Sequence, residues 1–189
     1  MVKDKIAILG ASGFIGMHLC KKLVDKNIKI LALIRNKHSK EAKELLKMDI
    51  QVLETGDLFE KKILSKDLTK FKYLINLAAL AHLNSKSFKK KLFHSNNINN
   101  IENNIIRNFS NKNLKILHIS SAKVSDTIEN NLTDYAKVKK NGESIIRKYY
   151  KKHIILRPPL VYGPNVKANF LIFLLLICEY QSQYQNKFY

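Results

Sequence analysis

Short apolar runs rich in isoleucine and leucine alternate with longer segments of helical periodicity along almost the whole chain, and this alternation limits the fold more than any other feature. The runs are Lys5–Gly10, Ile28–Ile34, Ile50–Leu53, Tyr73–Ala81, Leu114–Ser121 and His153–Leu156. Between them lie an amphipathic segment over Phe14–Val24, a polar one over Ser39–Lys47, a long Asn-rich one over Ser85–Asn108 and another over Thr133–Tyr150. Strands apolar on both faces and joined by helical crossovers predict an α/β fold, a doubly wound parallel sheet covered on two sides. No internal repeat interrupts the order.

Composition excludes several alternatives. A chain of 189 residues with 46% hydrophobic and 26% charged residues, 6 Gly and 3 Pro holds a real core and is neither disordered nor collagenous. Its two cysteines, Cys20 and Cys178, have no partner at metal or disulfide-framework spacing and read as reduced thiols. The net charge of +19 is carried mostly by lysine scattered along the chain together with abundant Asn and Ile. That pattern fits an A/T-biased coding sequence better than a nucleic-acid-binding patch, so no nucleic-acid partner is expected. The N-terminus lacks the regions of a signal peptide, which predicts a cytoplasmic protein. The apolar run Phe170–Ile177 falls well short of the ~20 residues of a membrane span and reads as a buried helix segment.

Gly10-Ala11-Ser12-Gly13-Phe14-Ile15-Gly16 lies between the first strand and the first helix, where a glycine triplet has a definite physical meaning. Gly10 turns the backbone off the strand, Gly13 lets it approach a pyrophosphate and Gly16 lets the helix pack on the sheet. The helix N-terminus then offers N–H groups and partial positive charge to phosphates. The expected ligand is NAD or NADP. An acid that would hold a ribose 2′-hydroxyl is missing after the second strand, where Arg35 stands instead. Arg35 could pair with a 2′-phosphate or lie flat on the adenine, which leans toward NADP.

Tyr135 and Lys139 are one turn apart on a single helix face, and the strand before that helix ends in Ser120-Ser121. A phenol is a weak acid at neutral pH, and a neighbouring ammonium lowers its pKa. These features together resemble the extended short-chain dehydrogenase/reductase family, in its nucleotide-sugar epimerase/dehydratase branch. The resemblance runs through Gly10–Gly16, Gly56-Asp57-Leu58, Asn76–His82, Asn97, Ser120–Val124, Tyr135–Lys139, Arg157–Pro164 and Val166–Phe170.

That resemblance implies a Rossmann-type sheet of strand order 3-2-1-4-5-6, with residues 1–165 as the NAD(P)-binding domain and residues 166–189 as a remnant of a substrate domain that is otherwise missing. It implies a cofactor site formed by Gly10, Ser12, Gly13, Phe14, Ile15, Gly16, Arg35, Asp57, Leu58, Ala78, Ala79, Tyr135, Lys139 and Pro158, and no metal. Asp57 and Leu58 would hold the adenine, and Ala78 and Ala79 would line the pyrophosphate and ribose. Ser121, Tyr135 and Lys139 would be catalytic, acting on a nucleotide-sugar such as a UDP-hexose by 4-epimerisation or 4-keto reduction. A homodimer through the Tyr135 helix and a role in polysaccharide biosynthesis are also implied. His82 and His118 are read as non-functional. The interval from Ser121 to Tyr135 is short for the family, and after Phe170 the chain departs from its pattern, as a truncated product would. A non-catalytic dinucleotide-binding module or an inactive fragment stays open as the alternative.

Overall fold

The computed structural model describes residues 5–58, 68–79, 100–111, 113–125, 133–159 and 161–164. Six parallel strands form one sheet: β1 Ile6–Leu9, β2 Ile30–Ile34, β3 Gln51–Glu54, β4 Tyr73–Asn76, β5 Lys115–Ile119 and β6 Lys152–Leu156. Their order is β3-β2-β1-β4-β5-β6, the Rossmann-type arrangement expected from the sequence. Helices α1 Phe14–Asp25, α2 Lys40–Lys47, α3 Asn100–Asn108 and α4 Asp134–Tyr149 occupy the crossovers, with a short 3₁₀ turn at Ala122–Ser125. The first part of the Asn-rich helical segment, His82, Asn97, Cys178 and the run Phe170–Ile177 lie outside the described residues.

Strand periodicity sorts the core into two layers. Ala7, Leu9, Leu31, Leu33, Leu74 and Ile116 face Ile101, Ile105 and Phe109 of the α3 region and Ile146 and Tyr150 of the α4 region. Ile8, Ala32 and Ile34 face Cys20 of α1 and Ala42 and Leu45 of α2. Strand β2 is buried throughout, as its unbroken apolar run requires. Burial pushes the Cys20 thiol up to about 11, so it behaves as a small apolar side chain. The phenol of Tyr150 donates to the Phe109 carbonyl at 2.9 Å, fastening the end of α4 to the end of α3.

Local chemistry sets the element ends. Ser39 and Thr133 cap α2 and α4 by accepting from Ala42 N at 3.1 Å and Ala136 N at 3.3 Å. Asn27 and Asp49 end α1 and α2 with φ of 55° and 56°, a left-handed turn that Asn and Asp tolerate. Strand β4 ends at Asn76, well before Ala81 of the expected strand, because the Asn76 side chain accepts from Ala78 N at 3.1 Å and bends the chain.

The two edges of the sheet differ in kind. Toward the strand N-termini, an apolar cavity of about 440 Å³ is lined by Ile6, Ile75, Leu117 and Ile154 with lysines at its rim. It lies at the end opposite the glycine turn. The chain divides into two compact units, Met1–Pro159 and Leu160–Tyr189; in the second Val161 and Tyr162 are exposed.

The layer arrangement makes Leu33 a sensitive position. Replacing fully buried Leu33 with Ala should lower the unfolding free energy by about 2–5 kcal/mol, whereas Ile154→Ala, at 59% exposed, should change it by less than about 1 kcal/mol. Urea denaturation of the two variants beside the parent chain measures both.

Candidate cofactor and active site

In a parallel sheet all the strands deliver their following loops to the same edge, so residues far apart in sequence meet there. The turn after β1 is tight. Gly10 has φ of +80°, and a Cβ there would stand 2.9 Å from Ala78 N. A Cβ at Gly16 would stand 2.4 Å from the Gly10 carbonyl oxygen, and one at Gly13 3.2 Å from the same atom. Gly13 N donates to Gly10 O at 3.0 Å and Met17 N to Gly13 O at 2.9 Å, which closes the turn directly into α1. Gly13 is the N-cap, without a side-chain cap and without an acid in the first turn. The opening N–H groups and positive end of α1 are thus left to an anion. Ser12, Phe14 and Ile15 are half-buried in this turn, and Gly13 itself is exposed.

The neighbouring loops complete the edge. Arg35 follows β2 and is exposed. After β3, Thr55 N donates to Ile34 O at 2.7 Å, and Gly56 turns with φ of 65° to present Asp57, half-buried, and Leu58, buried. Asn104 of α3 fixes that loop by donating from Nδ2 to the Leu58 carbonyl at 2.7 Å. After β4, Leu77 N donates to Leu9 O at 2.9 Å, and Ala78 and Ala79 follow half-buried beside Gly10. After β5, Ala122 N donates to the Pro158 carbonyl at 3.0 Å, so Pro158 holds the backbone beside Ser121. Ser121 Oγ accepts from Lys123 N at 3.3 Å.

Helix α4 brings Tyr135 and Lys139 to the end of β5. Lys139 is buried and donates from Nζ to the Ile119 carbonyl, the last of that strand, at 2.9 Å. Burial lowers the pKa of its ammonium, and the charges of Glu102 and Glu143 oppose that effect. Tyr135 is half-buried, and burial pushes its phenol above the ordinary range. In this geometry burial raises the Tyr135 phenol, while the Lys139 ammonium is engaged at Ile119.

Behind this pair lies a polar network that the sequence did not reveal. Asn76 and His118 are direct neighbours in the register of β4 and β5, and both are fully buried. Asn76 Oδ1 accepts from Ala78 N, so its Nδ2 is the group that donates to His118 Nδ1, at 2.8 Å. The proton of neutral His118 is then on Nε2, which lies 4.0 Å from Glu102 Oε1. Burial, with the charge of Lys139, lowers the His118 pKa to about 4 against the pull of Glu143. Arg157 grips Glu143 through Nε at 2.8 Å and Nη2 at 2.6 Å, and reaches Ser125 Oγ at 3.2 Å. Polar residues at the ends of otherwise apolar strands, Asn76 and His118, were the available signal for this network. Among the described residues no cluster of His, Cys, Asp and Glu could hold a metal ion, and no helix is long and apolar enough to cross a membrane.

The model of the NAD dependent epimerase/dehydratase family matches residues 6–175. The chain belongs to that family. Comparison with proteins of curated function returns no match. Among solved structures, Gre2 of Candida albicans in complex with NADPH superposes with a TM-score of 0.66 at 21% identity, covering 87% of this chain and 61% of that one. UDP-N-acetylglucosamine 4-epimerase from Bacillus cereus gives 0.59 at 21% identity, covering 90% and 58%. The NDP-hexosamine 5,6-dehydratase TunA gives 0.64 at 23%, covering 87% and 57%. These likenesses establish the fold, and the chain spans less than two thirds of each of the three neighbours. NAD or NADP fits the epimerase-family turn, since the contacts at Gly10 and Gly16 leave no room for side chains where the backbone must approach a diphosphate.

The buried histidine generates a pH dependence. His118 binds a proton less readily folded than unfolded, so its contribution is complete above the unfolded value of 6.5 and is lost as pH falls through about 4. Stability should fall toward acid by up to about 1.4 kcal/mol per pH unit in this window from His118 alone. Urea midpoints of His118→Asn should show a flatter acid slope than the parent chain.

Proposed function

We propose that residues 1–165 form the NAD(P)-binding domain of a nucleotide-sugar 4-epimerase or 4-ketoreductase acting on a UDP-linked hexose, and that residues 166–189 begin its substrate domain. The observation that carries this reading is the placement of Lys139 on the last carbonyl of β5, with Tyr135 one turn before it on α4, at the sheet edge that also holds the glycine turn. A family fold alone would not require a buried lysine at that point.

In this reading the backbone of Gly10–Gly16 and the start of α1 bind the diphosphate. Asp57 and Leu58 border the adenine, and Ala78, Ala79 and Pro158 line the remainder of the groove. Arg35, exposed after β2, pairs with a 2′-phosphate and favours NADP over NAD. When bound, the nicotinamide supplies reversible hydride transfer. Ser121 Oγ hydrogen-bonds the sugar C4 oxygen, and Tyr135 Oη takes the proton of the C4 hydroxyl during oxidation and returns it on reduction. Lys139 holds the ribose hydroxyls, and its positive charge lowers the Tyr135 phenol once it faces that ring. The chain pairs with a second copy through α4.

A second reading, a non-catalytic dinucleotide-binding module, is favoured by one observation: the phenol of Tyr135 is pushed up by burial rather than down. The two readings separate experimentally. Fluorescence titration should show binding of both NADP(H) and NAD(H), with Arg35→Ala weakening NADP(H) about tenfold and NAD(H) much less; equal loss for both removes the 2′-phosphate role. Against a panel of UDP-hexoses scored for C4 inversion and 4-keto reduction, Tyr135→Phe should reduce turnover by about 10²-fold or more while sparing cofactor affinity. Retained turnover defeats the proton-transfer role of Tyr135. Cofactor binding with no turnover on any sugar selects the non-catalytic module.

A further inference from the structure

The sequence alone gives His118 no role, and the functions proposed above use neither it nor Asn76. Both side chains are fully buried, and the two residues are register neighbours near the ends of β4 and β5. Polar groups in such a place cost stability unless each is matched. An amide is nearly symmetric in shape and fits its slot either way round, so its hydrogen-bond partners decide its orientation. With Nδ2 toward Ala78, two donors would face each other; with Oδ1 there, the Ala78 N–H is taken at 3.1 Å. Nδ2 then faces His118 Nδ1 at 2.8 Å, and that nitrogen has to accept. Only the neutral imidazole with its proton on Nε2 satisfies both bonds.

This chain of bonds ends at the glycine turn. Leu77 N still donates along the sheet, to Leu9 O at 2.9 Å, whereas Ala78 N is turned out of the ladder toward Asn76. That bend lays the β4 loop on the turn after β1. A Cβ on Gly10 would stand 2.9 Å from Ala78 N, 3.0 Å from the Leu77 carbonyl carbon and 3.1 Å from Ala78 Cα. Asn76 therefore sets the wall beside Gly10, and His118 sets Asn76. An apolar residue at position 118 would leave Nδ2 buried without this acceptor and the amide without a fixed orientation.

We propose that Asn76 and His118 are a positioning pair for the cofactor groove: by keeping Nδ1 bare, His118 fixes the Asn76 amide with Oδ1 toward Ala78, and so holds the β4 loop against the glycine turn. The consequence for nucleotide binding rests on the NAD(P) groove proposed above. The tautomer and the order of the loop do not, and both are measured without cofactor.

Long-range ¹H–¹⁵N correlation spectra of the full chain near neutral pH report the tautomer of His118, assigned by its loss in His118→Asn. An imidazole with Nδ1 unprotonated is expected, and a proton on Nδ1 overturns the inference. In His118→Leu, exchange of the Ala78 amide with solvent should speed up about tenfold or more, and affinity for NADP(H) and NAD(H) should fall about tenfold. His118→Asn puts an amide oxygen at about the place of Nδ1 and should bring both back toward the parent, which a role in packing alone does not predict. Unchanged exchange in folded His118→Leu, or faster exchange with affinity unmoved, overturns the pair. The tautomer is read in the parent chain, so the test stands if His118→Leu does not fold. The expected tautomer and exchange with no nucleotide bound even by the parent sustain the hold on the β4 loop and remove the cofactor reading, whereas parent binding with an Nδ1 proton or unmoved exchange does the reverse.

Discussion

The fold depends on a crossing of backbones at the C-terminal edge of β1. Gly16 in the first turn of α1 meets the carbonyl of Gly10, and Gly10 in turn meets the backbone of Ala78 after β4, both at distances that admit no Cβ. Three segments therefore touch main chain to main chain at one point. This closeness sets the height of α1 on the sheet, draws the β4 loop beside the turn and leaves the N–H groups of α1 facing outward. Any ligand the edge accepts is received by a surface that those contacts have already shaped, so little conformational entropy is spent in forming it.

Much of this was legible in the sequence because the signals are local. The apolar runs gave the strands, and the helical segments expected to start at Ser39 and Thr133 do so because those side chains cap α2 and α4 through hydrogen bonds within a turn. The glycine spacing gave the turn because each glycine there answers a backbone contact. The network behind Lys139 could not be read in the same way. Glu102, His118 and Glu143 are separated in sequence; the two glutamates look like ordinary surface residues on their helices, and His118 shows only as a polar residue in an apolar strand. Their meeting is a product of sheet order and register, as in the pairing of Asn76 with His118. The length of β4 was misjudged for a related reason: Leu77–Ala81 is apolar enough to be strand, but the side chain of Asn76 takes the Ala78 N–H out of the ladder.

The site region combines two opposing demands. Burying a lysine and half-burying a tyrosine at the end of β5 strengthens any later electrostatic interaction but disfavours charge on both groups. The carboxylates on α3 and α4 oppose this for the lysine, whereas among the described residues the shift of the phenol has burial as its cause. The asymmetry means that the site stores its positive charge on α4 in advance and leaves the tyrosine to be tuned by whatever enters the groove.

The outermost strand has consequences for the behaviour of the molecule in solution. Among the described residues β6 is an outer strand of the sheet, with Ile154 and Leu156 exposed at 59% and 46% and with Lys151 and Lys152 at its start. An exposed apolar edge strand is a template for sheet-to-sheet association, and flanking lysines act as gatekeepers by mutual repulsion between copies. In a chain of net charge +19 that repulsion is strong in dilute buffer and fades as ions screen it, so colloidal stability of this protein is tied to ionic strength through its edge strand.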